Sequence, residues 1–163
     1  PDRPVMVGGA ALMVLTLLAL AGEIGAIGLD WKVLLGAWML LGIGFSAVLT
    51  PSGRLLRRSA HAEDRPALFA AQFALSHACW LVTYPLSGWL MTRFGPVAAL
   101  GLLAALAGAG VLFALHLWPR ADPEIVEHTH DNLPLGHPHL KGARRHAHPY
   151  VVDEEHPRWA SHL

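Results

Sequence analysis

The chain has 163 residues, 53% of them hydrophobic and only 15% charged, with a mean hydropathy of +0.40. Soluble domains carry about 25% charged residues, so this composition points to a membrane protein. A formal net charge of zero gives no footprint for nucleic acid, and the single cysteine, Cys79, excludes a disulfide framework and a Cys-based metal site.

The chain opens Pro1-Asp2-Arg3-Pro4 and passes straight into an apolar run, without an initiating Met or a basic n-region. This start suggests a fragment whose upstream part is missing. Four runs without Asp, Glu, Lys or Arg follow, and the expected spans cover about 4–22, 33–53, 66–92 and 95–118. Each is near or above the roughly 20 residues needed to cross a bilayer. Gly8-Gly9 in the first run, Gly42 and Gly44 in the second, and Gly101, Ala104, Ala105 and Gly108 in the fourth supply small residues that let membrane helices approach closely.

The connections fix an expected orientation. Glu23 to Lys32 and the turn at Arg93-Phe94-Gly95 each carry one basic residue, whereas Arg54, Arg57, Arg58 and Arg65 crowd into the connection between the second and third runs. The positive-inside rule puts that connection in the cytoplasm. Arg3 and the tail then share its side, and Trp31, Trp89 and Trp118 sit near run ends as interfacial aromatics do.

The third run, Pro66 to Thr92, has a polar stripe. At about 100° per residue, Gln72, Ser76, Cys79, Thr83 and Ser87 fall within an arc of roughly 80°, with His77 and Tyr84 on an adjoining arc. Hydrocarbon gives such groups no partners, so the stripe should face other helices or a water-filled cavity. Gln72, Ser76, His77, Thr83 and Tyr84 are the candidates for a transport path. Against this stands the plainer reading, in which the hydroxyls bond back to their own helix and His77 is a neutral packing residue. Pro85 kinks the run and Gly88 lets a neighbour pack against the bend, which suits a moving helix as well as a merely shaped one.

The second and third runs carry a family resemblance. Gly42-Ile-Gly-Phe through Thr50-Pro51-Ser-Gly53-Arg54, the basic loop, and Tyr84-Pro85-Leu-Ser-Gly88-Trp-Leu90-Met-Thr-Arg93-Phe-Gly95 together resemble the major facilitator superfamily. Pro85-Leu-Ser-Gly88-Trp-Leu is similar to that family's Gly-Pro-x-x-Gly-Gly pattern, although Tyr84 stands where Gly is usual, Trp89 replaces the second Gly, and Thr92 replaces an acidic residue. The resemblance covers about residues 4–119. It implies an all-α integral membrane fold in which the four spans are helices nine to twelve of a twelve-helix bundle, two halves rocking about a central site.

The tail, 120–163, is rich in His, Pro and charge and too sparse in aliphatics to bury a core, so it is expected to be largely disordered. His128-Thr-His130, His137-Pro-His139 and His146-Ala-His148 form three His-x-His pairs, each starting nine residues after the last, with His156 and His162 beyond. Neutral imidazole ligates zinc, nickel, cobalt and copper. Glu127, Asp131, Asp153, Glu154 and Glu155 are available as carboxylate ligands. Such tracts also bind metal in vitro without a biological role.

No phosphate loop, His-Glu-x-x-His, nucleophile elbow or paired intramembrane carboxylates occur, which argues against an enzyme. The expected protein is therefore the C-terminal part of a secondary transporter in a bacterial inner membrane, with its tail in the cytoplasm. Its expected partners are the lipid bilayer, the upstream helices and a small solute or ion. Efflux is favoured, and a divalent metal such as nickel, cobalt or zinc is the candidate solute. No resident cofactor is required, apart from such an ion on the tail. A self-contained four-helix module that senses metal through its tail, and a non-transporting subunit, are the rivals.

Overall fold

The computed structural model describes residues 2–121, 123–130, 133–134, 136–140 and 142–156. Helix α1 spans Asp2–Ile27, α2 spans Trp31–Arg58 and α3 spans Arg65–Leu117. All three are long and apolar enough to cross a membrane. The tail adds strand β1 (Ile125–Thr129), a 3₁₀ turn at Pro138–Leu140 and strand β2 (Arg145–Pro149).

The α1–α2 connection is tighter than the charge pattern suggested. Gly28 ends α1 with φ 93°, a left-handed conformation that Gly adopts without the Cβ penalty, and its N–H donates to the Ile24 carbonyl at 3.1 Å. Two residues later Asp30 caps α2, its Oδ1 accepting from Lys32 N (2.7 Å) and Val33 N (3.2 Å). Helix α2 runs on through Arg58, so Arg54, Arg57 and Arg58 occupy its last turns and the link to α3 is 59–64, exposed from His61 to Asp64.

The expectation of four separate spans is met by three helices, the third of which holds both remaining apolar runs. A straight helix of 53 residues would be about 80 Å long, more than twice the roughly 30 Å hydrocarbon core. The break falls at Gly95, where φ 80° and ψ 176° leave helical space. That conformation is open essentially to Gly alone. Pro96 follows, pre-set for the first helical position of the next limb and missing an N–H that would be unpaired there anyway.

The second limb, 96–117, lies alongside α1 in the opposite direction. Val97 approaches Gly25 and Val14 approaches Gly108, while Arg3 Nε donates to the Trp118 carbonyl at 3.0 Å. Helix α2 also runs antiparallel to α1 and crosses it at a glycine pair. A Cβ placed on Gly9 would lie 2.7 Å from the Gly44 carbonyl oxygen, and one on Gly44 would lie 2.7 Å from that of Gly9. Without side chains the two backbones come into direct contact. Most other large apolar side chains face outward, including Leu15, Trp38, Phe45, Leu81 and Phe113, as expected when lipid rather than protein interior is the apolar solvent.

The first limb of α3, 65–94, contributes no buried residue; Ala99 and Ala104, both in the second limb, are the buried residues of α3. The asymmetry leaves the polar stripe and its neighbours open to whatever packs beside this limb.

One end of the helical region gathers charge. Arg54 pairs with Asp2, Nε donating to Oδ2 at 3.2 Å, and Asp2, Arg3, Arg54, Arg58, Arg120 and Glu124 line a shared cavity. The tail leaves from this same end, beside the arginine-rich end of α2.

Candidate metal centre in the tail

The tail differs from the largely disordered segment that its composition suggested. Its strands pair antiparallel in the register Val126↔His148, His128↔His146 and Thr129↔Arg145. Side chains two apart on a strand point to the same face, so His-x-His spacing puts His128 and His130, and likewise His146 and His148, on one side of the ladder. His128 and His146 are directly opposed across it. The other face carries Arg145, whose guanidinium donates to both carboxylate oxygens of Glu127 at 2.8 and 3.1 Å and so ties the register.

Two further segments close over the histidine face. The 3₁₀ turn delivers His139 and buries Leu140, which is 1% exposed. After β2 the chain passes buried Tyr150 and turns at Asp153, whose Oδ1 accepts from the N–H groups of Glu155 (2.9 Å) and His156 (2.8 Å). That turn brings back His156, which is 3% exposed. The buried residues of the tail are His128, His130 and His156 together with Leu140 and Tyr150, so imidazole rings supply much of an interior that a count of aliphatics overlooks.

The Nε2 atoms converge. His128 lies 3.0 Å from His130 and 3.0 Å from His156, and His139 lies 3.0 Å from His130 and 3.2 Å from both His146 and His148, all measured between Nε2 atoms. The ligand atoms of His128, His130, His139, His148 and His156 all lie within 4.8 Å of one another.

Hydrogen bonding on the far side of each ring explains what this convergence means. Nδ1 of His128 meets the Val126 carbonyl at 3.1 Å, that of His146 the Ala143 carbonyl at 3.2 Å, and that of His148 the Pro149 carbonyl at 2.7 Å. Nδ1 of His139 meets Glu155 Oε2 at 2.6 Å, and that of His156 meets Asp153 Oδ1 at 2.8 Å. Carbonyl and carboxylate oxygens only accept, so in the neutral form of these five rings Nδ1 carries the hydrogen and Nε2 presents a lone pair. Lone pairs facing one another near 3 Å repel; a cation at their centre turns the repulsion into coordination. An outer acceptor fixing the tautomer of each ligating ring is the usual second layer of a histidine metal site.

Electrostatics favour the neutral, ligating form of three of the rings. Burial, reinforced by the neighbouring histidines, pushes the His130 pKa down to about 4. Burial also lowers that of His128, against the opposing carbonyl of Val126, and that of His139, against the opposing charge of Glu155. Burial alone would raise the Asp153 carboxyl, but hydrogen bonds from His61 and His156 outweigh it and hold that group down to about 2.

His61 belongs to the 59–64 link, and its Nε2 lies 3.1 Å from Asp153 Oδ2. The acceptor that orients His156 is thus shared with the helical region. A cavity of about 340 Å³ opens between His61 and the cluster.

Of the six histidines singled out by spacing, the structure brings together His128, His130, His139, His146 and His148. His137 stays outside, its Nδ1 accepting from the His139 N–H at 3.3 Å and lying 3.7 Å from Glu155 Oε1. His156, outside the nine-residue repeat, takes the remaining position. Glu127, Asp153 and Glu155 act here as ion-pair and hydrogen-bond partners, while Asp131 and His162 lie outside the described residues.

The transport-path candidates all sit on the first limb of α3. Gln72, His77 and Tyr84 are exposed, as are Pro85 and Gly88, and Ser76 and Thr83 are half-buried. Ser76 Oγ donates to the Phe73 carbonyl (2.8 Å), Thr83 Oγ1 to that of Cys79 (3.0 Å) and Ser87 Oγ to that of Thr83 (2.6 Å). His77 Nδ1 likewise meets the Phe73 carbonyl at 2.7 Å. His77 is held in an aromatic ladder, with ring centroids 3.8 Å from Phe73 and 4.6 Å from Trp80, which itself stacks 5.9 Å from Tyr84. The i, i+4, i+7, i+11 spacing of those four rings was visible in the sequence, where polarity drew attention to the hydroxyls instead.

Long apolar helices, exposed outward and meeting through small residues, define a polytopic α-helical membrane protein. The family model of the Major Facilitator Superfamily matches residues 1–150, and the chain belongs to that superfamily of transporters. Comparisons with curated proteins and with solved structures gave no match.

Proposed function

We propose that the chain is the C-terminal part of a secondary active transporter that exports a divalent metal of the nickel, cobalt and zinc group, and that its cytoplasmic tail binds the same ion. One observation carries the metal: six imidazole Nε2 atoms meet, five of them as lone pairs fixed by acceptors on the opposite ring nitrogen. A soluble tract that met metal only by accident would have no reason to order five second-layer partners. The arginine-rich end of α2, beside which the tail leaves, supports a cytoplasmic tail through the positive-inside rule. Gln72, Ser76, His77, Thr83 and Tyr84 would line the path, with Pro85 and Gly88 shaping the helix that moves.

The test uses the full-length transporter in cells challenged with nickel, cobalt or zinc. Export predicts lower cell-associated metal and higher tolerance than in cells carrying an empty vector, and equal metal content would overturn the reading. A second reading, in which the tail senses the ion and governs movement of a different solute, is favoured by the enclosure of the cluster: a buried cage holds an ion better than it hands one on. Under that reading metal content is unchanged, while transport of the other solute responds to metal only when the cluster is intact.

A further inference from the structure

We infer that the tail holds one ion in a closed, six-coordinate, all-imidazole cage formed by His128, His130, His139, His146, His148 and His156, and that the ion is a first-row dication at ease with octahedral nitrogen, nickel(II) or cobalt(II). The inference deepens the metal reading above and rests on it.

The geometry comes from the rings as a set. His128 and His139 have ring centroids 6.4 Å from each other. Each of them lies 4.7–5.0 Å from every one of His130, His146, His148 and His156. Those four in turn form a closed circuit, 130 to 146 to 148 to 156 and back to 130, with steps of 4.9–5.2 Å. Two poles equidistant from a four-membered equator describe an octahedron. In it His128 stands across from His139, His130 from His148 and His146 from His156.

The nitrogen spacing agrees with a metal at the centre, and the adjacent ring centroids, 4.7–5.2 Å apart, stand slightly outside the ideal spacing. With bonds of about 2.1 Å to Nε2 and each ring centroid about 1.1 Å behind its nitrogen, adjacent nitrogens should be about 3.0 Å apart, adjacent centroids about 4.5 Å and opposite centroids about 6.4 Å. The observed nitrogen separations are 3.0–3.2 Å. A tetrahedral zinc site would need four ligands about 3.3 Å apart and would leave two rings outside the shell. Calcium and magnesium require oxygen. Among imidazole-binding dications, affinity rises toward nickel and copper, but copper(II) prefers a tetragonal field that six equivalent rings do not offer. Every position is filled from the chain, so the cage has no place for water or substrate and retains its ion.

The experiment is cobalt(II) titration of the full chain purified in detergent, read by visible absorption and by bound metal per chain. Saturation at one ion with the weak green-region bands of six-coordinate cobalt is expected. His156→Ala should weaken binding by more than about tenfold, whereas His137→Ala should match the parent. Intense red-region bands of four-coordinate cobalt, two or more ions per chain, or equal losses in the two variants would overturn the six-ligand cage and leave metal binding itself standing. No uptake of cobalt, nickel or zinc would overturn both.

Discussion

At the scale of single residues, the tail site is a problem in proton placement. A metal-binding imidazole must be neutral, and His130, with its pKa near 4 in the fold against about 6.5 when unfolded, is neutral over most of the range in which a free histidine titrates. The sign follows from proton counting: between those two values the unfolded tail binds more protons than the folded one, so folding stability rises with pH across that interval and falls as the medium is acidified. The metal-free tail should therefore lose amide-exchange protection in strands β1 and β2 as pH drops from about 6.5 toward 4. Protection that stays constant over that interval would contradict the buried, neutral assignment. Glu155 tests the second layer separately. It holds His139 through Nδ1, and Glu155→Ala should weaken nickel or cobalt binding by about 10–100-fold, measured by competition with a chelator of known affinity. An unchanged affinity would mean that the ring is oriented without it.

At the scale of elements, two glycine positions determine whether the helices can be arranged as they are. Gly95 adopts backbone angles that a side chain resists, so Gly95→Ala should cost about 1–3 kcal/mol through strain at the junction of the two limbs. At the α1–α2 crossing, a Cβ on Gly9 would overlap the Gly44 carbonyl, and Gly9→Leu should separate the helices at a cost of about 1–3 kcal/mol or more. Melting in detergent checks both, with Gly36→Ala, which meets open space, as the neutral comparison. Elements also show how far the sequence could be read. Charge-free runs revealed the apolar segments because lipid imposes that pattern directly, but they did not reveal that the last two runs join through a single glycine, since a Gly-Pro pair marks both a loop and a sharp break. In the tail the nine-residue repeat, taken with the low aliphatic content, suggests chelation by a flexible chain. The same His-x-His alternation is the period of a strand, and the strand reading would have predicted an ordered ladder. His156 escaped because its place depends on the Asp153 turn, and a long-range closure of that kind leaves no periodic trace.

At the scale of the whole molecule, the question is what a histidine cluster fastened to the helices of a transporter-family chain would do if it held the proposed ion. The fastening has an identifiable point, His61 of the 59–64 link against Asp153, whose other oxygen orients His156. An ion in the proposed cage would tighten the Asp153 turn through His156, and so hold its other oxygen toward the link between α2 and α3. Metal at the tail would thereby favour one position of a link whose two flanking helices must shift relative to each other if the protein alternates access. The coupling must be reciprocal: whatever position of the link metal favours should in turn raise the affinity for metal. His61→Ala removes the contact without touching a ring of the cage. The expected result is a metal affinity lowered by the coupling factor alone, a tail that is cleaved faster by protease within 119–125, and transport that no longer changes when metal is added. If His61→Ala leaves both cleavage and metal response at parental levels, the cage and the helices act independently and the contact is only a surface hydrogen bond.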